Sequence, residues 1–200
     1  MRTEARTSLS HPIRVDFVAS DKLTFAPGKR HHGMTGNWQR DLSLDLARLR
    51  DEYNASLLVS LIEEHEFESL QIKELRERAA DYGIKVLWSP IRDISVPKSI
   101  EEFAPTVQTI VDALRAGQTV VVHCMGGLGR TGLAAACALV AATELTPEEA
   151  ILIVRRARPG AIQTFGQEEF VTLFHNFFIN MRDEARFLQS HIKGIENDES

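Results

Sequence analysis

Apolar positions change their spacing several times along the chain. "IRVDFVA" (13–19) alternates and predicts a strand. "DKLTFAPGKRHHGM" (21–34) keeps no period, and Pro27-Gly28 marks it as turn-rich. Leu42, Leu46 and Leu49 recur at helical spacing behind Asp41, a candidate N-cap. "ASLLVSLI" (55–62) predicts a strand. "SLQIKELRERAADYG" (69–83) predicts an amphipathic helix closed by Gly83. "IKVLWSPI" (84–91) predicts another strand, ended by Pro90. Residues 98–117 predict a helix with a kink or restart at Pro105, closed by Gly117. Val120, Val121 and Val122 read as a strand buried on both faces, and residues 132–142 as an apolar helix. "TPEEAILIVRRAR" (146–158) opens with Thr146 as cap and Pro147 at the first helical position. The last long helix carries one apolar stripe, Phe170, Phe174, Phe177, Met181, Ala185, Leu188 and Ile192.

Strands alternate with helices from about residue 55 to residue 142. That order predicts an α/β fold, a central twisted sheet, mostly parallel, flanked by helices. Residues 13–192 are expected to form one domain. Residues 1–12 are polar and expected to be disordered, and the acidic end, residues 193–200, is expected to fray.

In parallel sheets ligands gather beyond the carboxyl ends of the strands. There, between the Val120–Val122 strand and the apolar helix, stands "HCMGGLGRTG" (123–132), with four glycines, a thiol and an arginine. The string "GLGRTG" fits the dinucleotide fingerprint G-x-G-x-x-G. The helix after it, however, leads into another helix rather than a second strand, so Glu144 does not end a strand as that reading requires. A Walker A loop is excluded, because Gly132 is followed by Leu133 rather than by Lys-Ser/Thr. A plain turn with a buried cysteine accounts well for Cys137 within "AACALV". It does not account for Arg130 at the start of a buried helix, where the dipole opposes a cation. An anion cradle does. The Cys124 thiol, the backbone N–H groups of Met125, Gly126, Gly127, Leu128 and Gly129, the Arg130 side chain and a helix N-terminus converge on one small volume. The same field favours the thiolate of Cys124.

Composition narrows the partners. A net charge of −5 argues against nucleic acid and anionic membranes, though not against a small positive pocket. No apolar run approaches the roughly 18 residues of a membrane span. Two cysteines do not make a disulfide framework; a reducing, cytoplasmic setting suits them. His31 and His32 have no second ligand pair, so no metal is expected. Lys29, Arg30, His31 and His32 are read as a solvated turn, with a place flanking the pocket as the alternative. Arg155, Arg156 and Arg158 fit a helix C-terminus, with a substrate-facing role as the alternative.

"His123-Cys124-x5-Arg130-Thr131" resembles the H-C-x5-R-[ST] signature of the cysteine-dependent protein tyrosine and dual-specificity phosphatases. "GAIQTFGQ" (160–167) resembles their glutamine loop, and "WSPIRD" (88–93) the loop that carries their general acid, with Asp93 standing 31 residues before Cys124. Joined to "GAIQT", "HC-x-GGLGR" is most similar to the kinase-associated phosphatase group. The resemblance implies that fold, no cofactor, and a phosphorylated protein or peptide as partner. It makes Cys124 the nucleophile, Arg130 the phosphate clamp and Asp93 the general acid. Gln163 positions the water, with Gln167 as its partner. Thr131 assists the leaving thiolate, and His123 supports the loop. With no lysine inside the loop, a single phosphate monoester on protein is favoured over a phosphoinositide or another small phosphomonoester. The other alternative is a catalytically weak phospho-binding module.

Overall fold

The computed structural model describes residues 4–18, 21–33 and 36–198. Five strands form the central sheet: β1 (Asp16–Val18), β2 (Asp21–Phe25), β5 (Ala55–Ser60), β6 (Lys85–Trp88) and β7 (Thr119–Cys124). They lie in the order β1-β2-β7-β5-β6, and only the edge pair β1/β2 is antiparallel. Strands β3 (Arg30–Gly33) and β4 (Gly36–Gln39) make a separate antiparallel pair. The helices are α1 (Leu42–Asp51), α2 (Glu64–Ser69), α3 (Leu75–Asp81), α4 (Ile100–Arg115), α5 (Gly129–Ala142), α6 (Pro147–Ala157) and α7 (Phe165–Asp198).

The predicted class is the observed one, and the reason lies in β7. Val120, Val121 and Val122 are fully buried because β7 is the middle strand, with parallel neighbours on both sides. A β-branched side chain on each face suits that position. Burial of such a side chain is worth roughly 1.5–3 kcal/mol. Helix α5 follows and is buried from Gly129 to Ala141. Its alanines let α4, α6 and α7 pack closely around it.

Several expectations need correction. The stretch 21–34 contains β2, which pairs in parallel with β7, and β3; Leu23 is buried there. Met34 lies outside the described residues. The helix expected over 69–83 begins only at Leu75, as α3; α2 ends at Ser69, and between them stands Gln71, whose φ of 56° no helix accepts. Helix α4 runs through Pro105 without a restart; Ser99 caps it by accepting the Glu102 N–H. Asp41 caps α1 at the Leu44 N–H, and Thr146 caps α6 in a reciprocal box with Glu149, both as expected.

In α7 the buried stripe is Phe170, Val171 and Phe174, with Phe178 packed against it; Met181 is half exposed. Steps of one, three and four residues follow the true helical period. The predicted stripe keeps that period too, but its Phe177 is half-buried and is not packed on the core, where Phe178 is. Its members Ala185, Leu188 and Ile192 have side chains outside the described residues. Helix α7 continues to Asp198, so it takes in most of the end expected to fray, and residues 199–200 lie outside the described ones. Near the other end, Arg6 is hydrogen-bonded on both sides, its N–H to Asn37 O at 2.8 Å and its carbonyl from the Gln39 N–H at 3.1 Å. Residues 1–3 lie outside the described residues.

Candidate active site

The four parallel strands all end on one side of the sheet, and each end delivers one part of the site. Strand β7 ends at Cys124, and its loop runs straight into α5. Beyond β5 comes α2 with Glu66, beyond β6 Asp93, and beyond β2 Lys29.

Cys124 is buried, and the Gly127 N–H donates to its Sγ at 3.2 Å. Gly127 has a φ of +70°, and a β-carbon there would stand 2.3 Å from the Thr24 carbonyl oxygen. Only glycine lets the loop curl against β2 with its N–H aimed at the sulfur. Cys137 is fully buried in α5, and burial pushes its thiol pKa up. Both thiols are free.

Arg130 is 1% exposed. Its Nη1 donates to Glu66 Oε2 at 2.5 Å, to Ile91 O at 3.0 Å and to Leu61 O at 3.4 Å. Its Nη2 donates to Glu66 Oε1 at 2.8 Å and lies 2.8 Å from Asp93 Oδ1. Burial disfavours the guanidinium charge, but the Glu66 hydrogen bonds and the charges of Cys124, Glu66 and Asp93 outweigh it, and the Arg130 pKa is raised. The arginine is therefore a fixed cation. Glu66 answers the conflict between a cation and a helix N-terminus, a residue that the sequence reading missed. Its signal was the Glu63-x-x-Glu66 capping box just before Phe67, in which Glu66 Oε2 also accepts the Glu63 N–H at 2.7 Å.

Asp93 sits on an exposed turn. Its side chain is 53% exposed, and its N–H donates to Glu63 Oε2 at 3.4 Å. The glutamine loop lies over the start of α5. Gln167 is fully buried; its Oε1 accepts the Gln163 N–H at 2.9 Å and its Nε2 donates to Ser95 O at 3.0 Å. One side chain thus joins the glutamine loop to the loop of Asp93. Gln163 Oε1 lies 2.8 Å from where a β-carbon on Gly129 would stand.

Thr131 Oγ1 and His123 Nε2 are buried without a hydrogen-bond partner among the described residues. His123 Nδ1 lies 3.3 Å from Cys124 O, and with the carbonyl as acceptor the Nδ1–H tautomer donates. Burial, helped by Arg130, lowers the His123 pKa to about 4, so the ring is neutral.

The other basic residues divide. Arg155 donates to Ala161 O and Ile162 O and pairs with Glu168, which steadies the glutamine loop. Arg158 pairs with Asp16 and donates to Gly126 O at 3.2 Å. Arg156 is exposed. Lys29 is buried rather than solvated, because it packs over the adjoining rings of Phe25 and Trp38. Arg30, His31 and His32 lie in β3 rather than in a turn. Among the described residues no three His, Cys, Asp or Glu are grouped to hold a metal, and no helix is long and apolar enough to cross a membrane.

A strand, a glycine loop and a helix that set an N–H group against a buried thiol, with a fixed arginine six residues further on, define the cysteine-dependent phosphatase class. A family model described as "Polymorphic toxin system, DSP-PTPase phosphatase" matches residues 32–144, and the chain belongs to that family. Protein tyrosine phosphatase domain-containing protein 1 of Bos taurus is 44% identical over 85 residues, 42% of this chain and 11% of that protein. Cyclin-dependent kinase inhibitor 3 of Rattus norvegicus is 31% identical over 128 residues, 62% of this chain and 57% of that protein. The chain thus spans about a tenth of the first relative and just over half of the second. Among solved structures, kinase associated phosphatase with its catalytic-site cysteine replaced by serine superposes with a TM-score of 0.76 at 24% identity, covering 84% of this chain and 97% of that one. Tk-PTP in its active form superposes with a TM-score of 0.65 at 27% identity, covering 81% of this chain and 96% of that one.

Proposed function

We propose that the protein hydrolyses phosphate monoesters on phosphorylated proteins, on phosphotyrosine and on phosphoserine or phosphothreonine, through a cysteinyl-phosphate. The observation that carries the reading is the Gly127 N–H bond to Cys124 Sγ at 3.2 Å beside an Arg130 that is locked and charged.

The Cys124 thiolate attacks phosphorus in line with the ester oxygen. An S–P bond forms, the P–O bond breaks, and Asp93 gives its proton to the departing oxygen. The N–H groups of the 125–130 loop and the Arg130 guanidinium take up the charge on the three equatorial oxygens. Water held by Gln163, itself steadied by Gln167, then attacks phosphorus and passes a proton to Asp93. The S–P bond breaks, phosphate leaves, and Thr131 Oγ1 donates to the departing thiolate. The unpartnered Thr131 hydroxyl fits that task. His123 supports the loop through the Cys124 carbonyl.

Substrate class follows from the loop. Met125, Gly126, Gly127, Leu128 and Gly129 carry no charge, which suits one phosphate better than a polyphosphorylated headgroup. Nucleophile, arginine and acid are all in place, which disfavours a pure binding module. Two free thiols suit a reducing compartment such as the cytoplasm.

The test is Cys124→Ser. The change is nearly isosteric, so the fold is kept, yet hydrolysis of p-nitrophenyl phosphate and of phosphopeptides is abolished while tungstate still binds. Turnover at the wild-type rate by the serine variant would end the covalent mechanism.

A further inference from the structure

Strand β2 is the fourth strand end at the site, and its contribution has no role in the chemistry above. Phe25 is in register with Cys124, and the chain then turns at Pro27-Gly28 to bring Lys29 back under the phosphate loop. Lys29 is 5% exposed. Its Nζ donates to the Met125 carbonyl at 3.2 Å, and that oxygen also lies 3.4 Å from the Ala26 N. Nζ stands 4.6 Å and 4.4 Å from the ring centres of Phe25 and Trp38. One peptide further on, Arg158 Nη2 donates to the Gly126 carbonyl at 3.2 Å.

The two contacts share a geometric consequence. In a trans peptide the C=O and the following N–H point in opposite directions. Drawing the Met125 and Gly126 carbonyls outward turns the N–H groups of Gly126 and Gly127 inward. The second of these already meets Cys124 Sγ.

We propose that Lys29 is a positioning residue which, with Arg158 beside it, holds the loop carbonyls outward and so presents the N–H groups, backed by its own positive charge, to the bound phosphate dianion. The proposal rests on the phosphatase reading above and adds a residue to the phosphate site.

The charges around Lys29 are mostly of its own sign. Arg40 faces it over the same two rings and is taken up by both oxygens of Asp45. Arg158 is taken up by Asp16. Lys29 itself makes no ion pair among the described residues, although Asp45 favours its charge from a distance. Burial, then Arg40, lowers its pKa from 10.5 to about 8, against the pull of Cys124. The ammonium is therefore present at neutral pH and is lost as the pH rises through about 8. A bound dianion has most to gain from it below that point.

The experiment is calorimetric titration of the full chain with tungstate between pH 6.5 and 9.5, for the wild type, Lys29→Met and Lys29→Arg. Lys29→Met keeps an apolar stem over the rings but has no donor and no charge. Its tungstate affinity falls about tenfold at pH 7, the scale of one charge-assisted contact, and the weakening that the wild type shows near pH 8 disappears. Lys29→Arg restores the neutral-pH affinity and moves that weakening above pH 9. Because Lys29 and Cys124 feel each other's charge, the same titrations are run with Cys124→Ser in all three proteins, so that the difference between them isolates residue 29. Wild-type affinity and an unchanged pH profile in Lys29→Met would overturn the proposal. If Lys29→Met does not fold, Lys29→Arg decides alone, and a step still near pH 8 overturns it. A wild type that binds tungstate yet does not turn over p-nitrophenyl phosphate would end the catalytic reading and leave the role of Lys29 in anion binding standing.

Discussion

The Arg130 guanidinium is held by the Glu66 carboxylate at two points, 2.5 Å and 2.8 Å, where the two side chains are 1% and 2% exposed. The clamp does two things at once. It offsets a buried cation at a helix N-terminus, and it fixes the guanidinium plane that, in the proposed mechanism, meets the phosphate.

Glu66→Gln keeps the shape and removes the charge. Leaving one partner of a buried pair unmatched costs about 3–5 kcal/mol, and the half-exposed Asp93 recovers little of it. The expected outcome is an unfolding free energy lower by that amount and a fall of about 10–10² in kcat/KM, since an arginine free to tilt is a poorer transition-state donor. Chemical denaturation and steady-state kinetics check both. A variant with wild-type stability and wild-type turnover would mean that the clamp is dispensable.

Glu66 also marks where the sequence stops being legible. Cys124 and Arg130 could be read because they lie in one continuous loop, and their meaning depends on local geometry alone. Glu66 meets Arg130 across 64 positions, and only the fold of β5 beside β7 brings them together. Strand β2 was hidden for another reason. Its five residues carry one fully buried leucine, and the turn chemistry of Pro27-Gly28 just after it dominated the pattern. Lys29 read as solvated because a lysine seldom goes inside; the two rings that cover it come from β2 and β4. That β5, β6 and β7 run mainly parallel was legible, since strands alternate with helices over that stretch; their order in the sheet was not.

Gly129 is constrained by its neighbours rather than by its backbone. A β-carbon there would come within 2.8 Å of Gln163 Oε1 and within 3.0 Å of Gln167 Nε2. Gln167 is fully buried and bonded at both ends, so Gln163 has to give way. Gly129→Ala is expected to cost little stability, because the Gln163 side chain that has to move is exposed and flexible. It should slow the second step more than the first, so that stopped-flow mixing with p-nitrophenyl phosphate shows a burst of phenolate followed by slow turnover. Gly126→Ala, whose β-carbon meets nothing within 4 Å, should leave stability unchanged. A Gly129→Ala variant with an unaltered steady state and no burst would remove Gln163 from the water step.

His123 makes stability fall toward acid pH. Its pKa is about 4 in the folded chain against 6.5 when exposed. The unfolded chain therefore binds a proton below pH 6.5 that the folded chain refuses until about pH 4. The His123 contribution is fully present above 6.5 and is lost as the pH falls through that window. Between pH 7 and pH 5 the loss is about 2 kcal/mol by linkage. Urea melts of the wild type and His123→Asn at both pH values measure it. The asparagine variant is less stable at pH 7, but its loss between the two pH values should be smaller by about that amount. Equal losses would mean that His123 carries no such linkage.

In the proposed mechanism Asp93 and phosphate compete for one place, because Asp93 Oδ1 lies 2.8 Å from the Arg130 Nη2 that an oxyanion would use. A dianion settling on Arg130 releases the Asp93 carboxyl to reach the ester oxygen. Asp93→Asn should slow hydrolysis of alkyl and phenyl phosphates by about 10²–10⁴, the range for a general acid. The loss should shrink for leaving groups of low pKa, which depart without a proton. The alkaline fall of kcat/KM that requires a protonated acid should flatten as well. Tungstate should bind the variant a few-fold more tightly, since the exposed ion pair it displaces is worth at most about 1 kcal/mol. A uniform loss across good and poor leaving groups, with tungstate affinity unchanged, would reduce Asp93 to a turn residue beyond Pro90 and send the search for the acid elsewhere in residues 92–102.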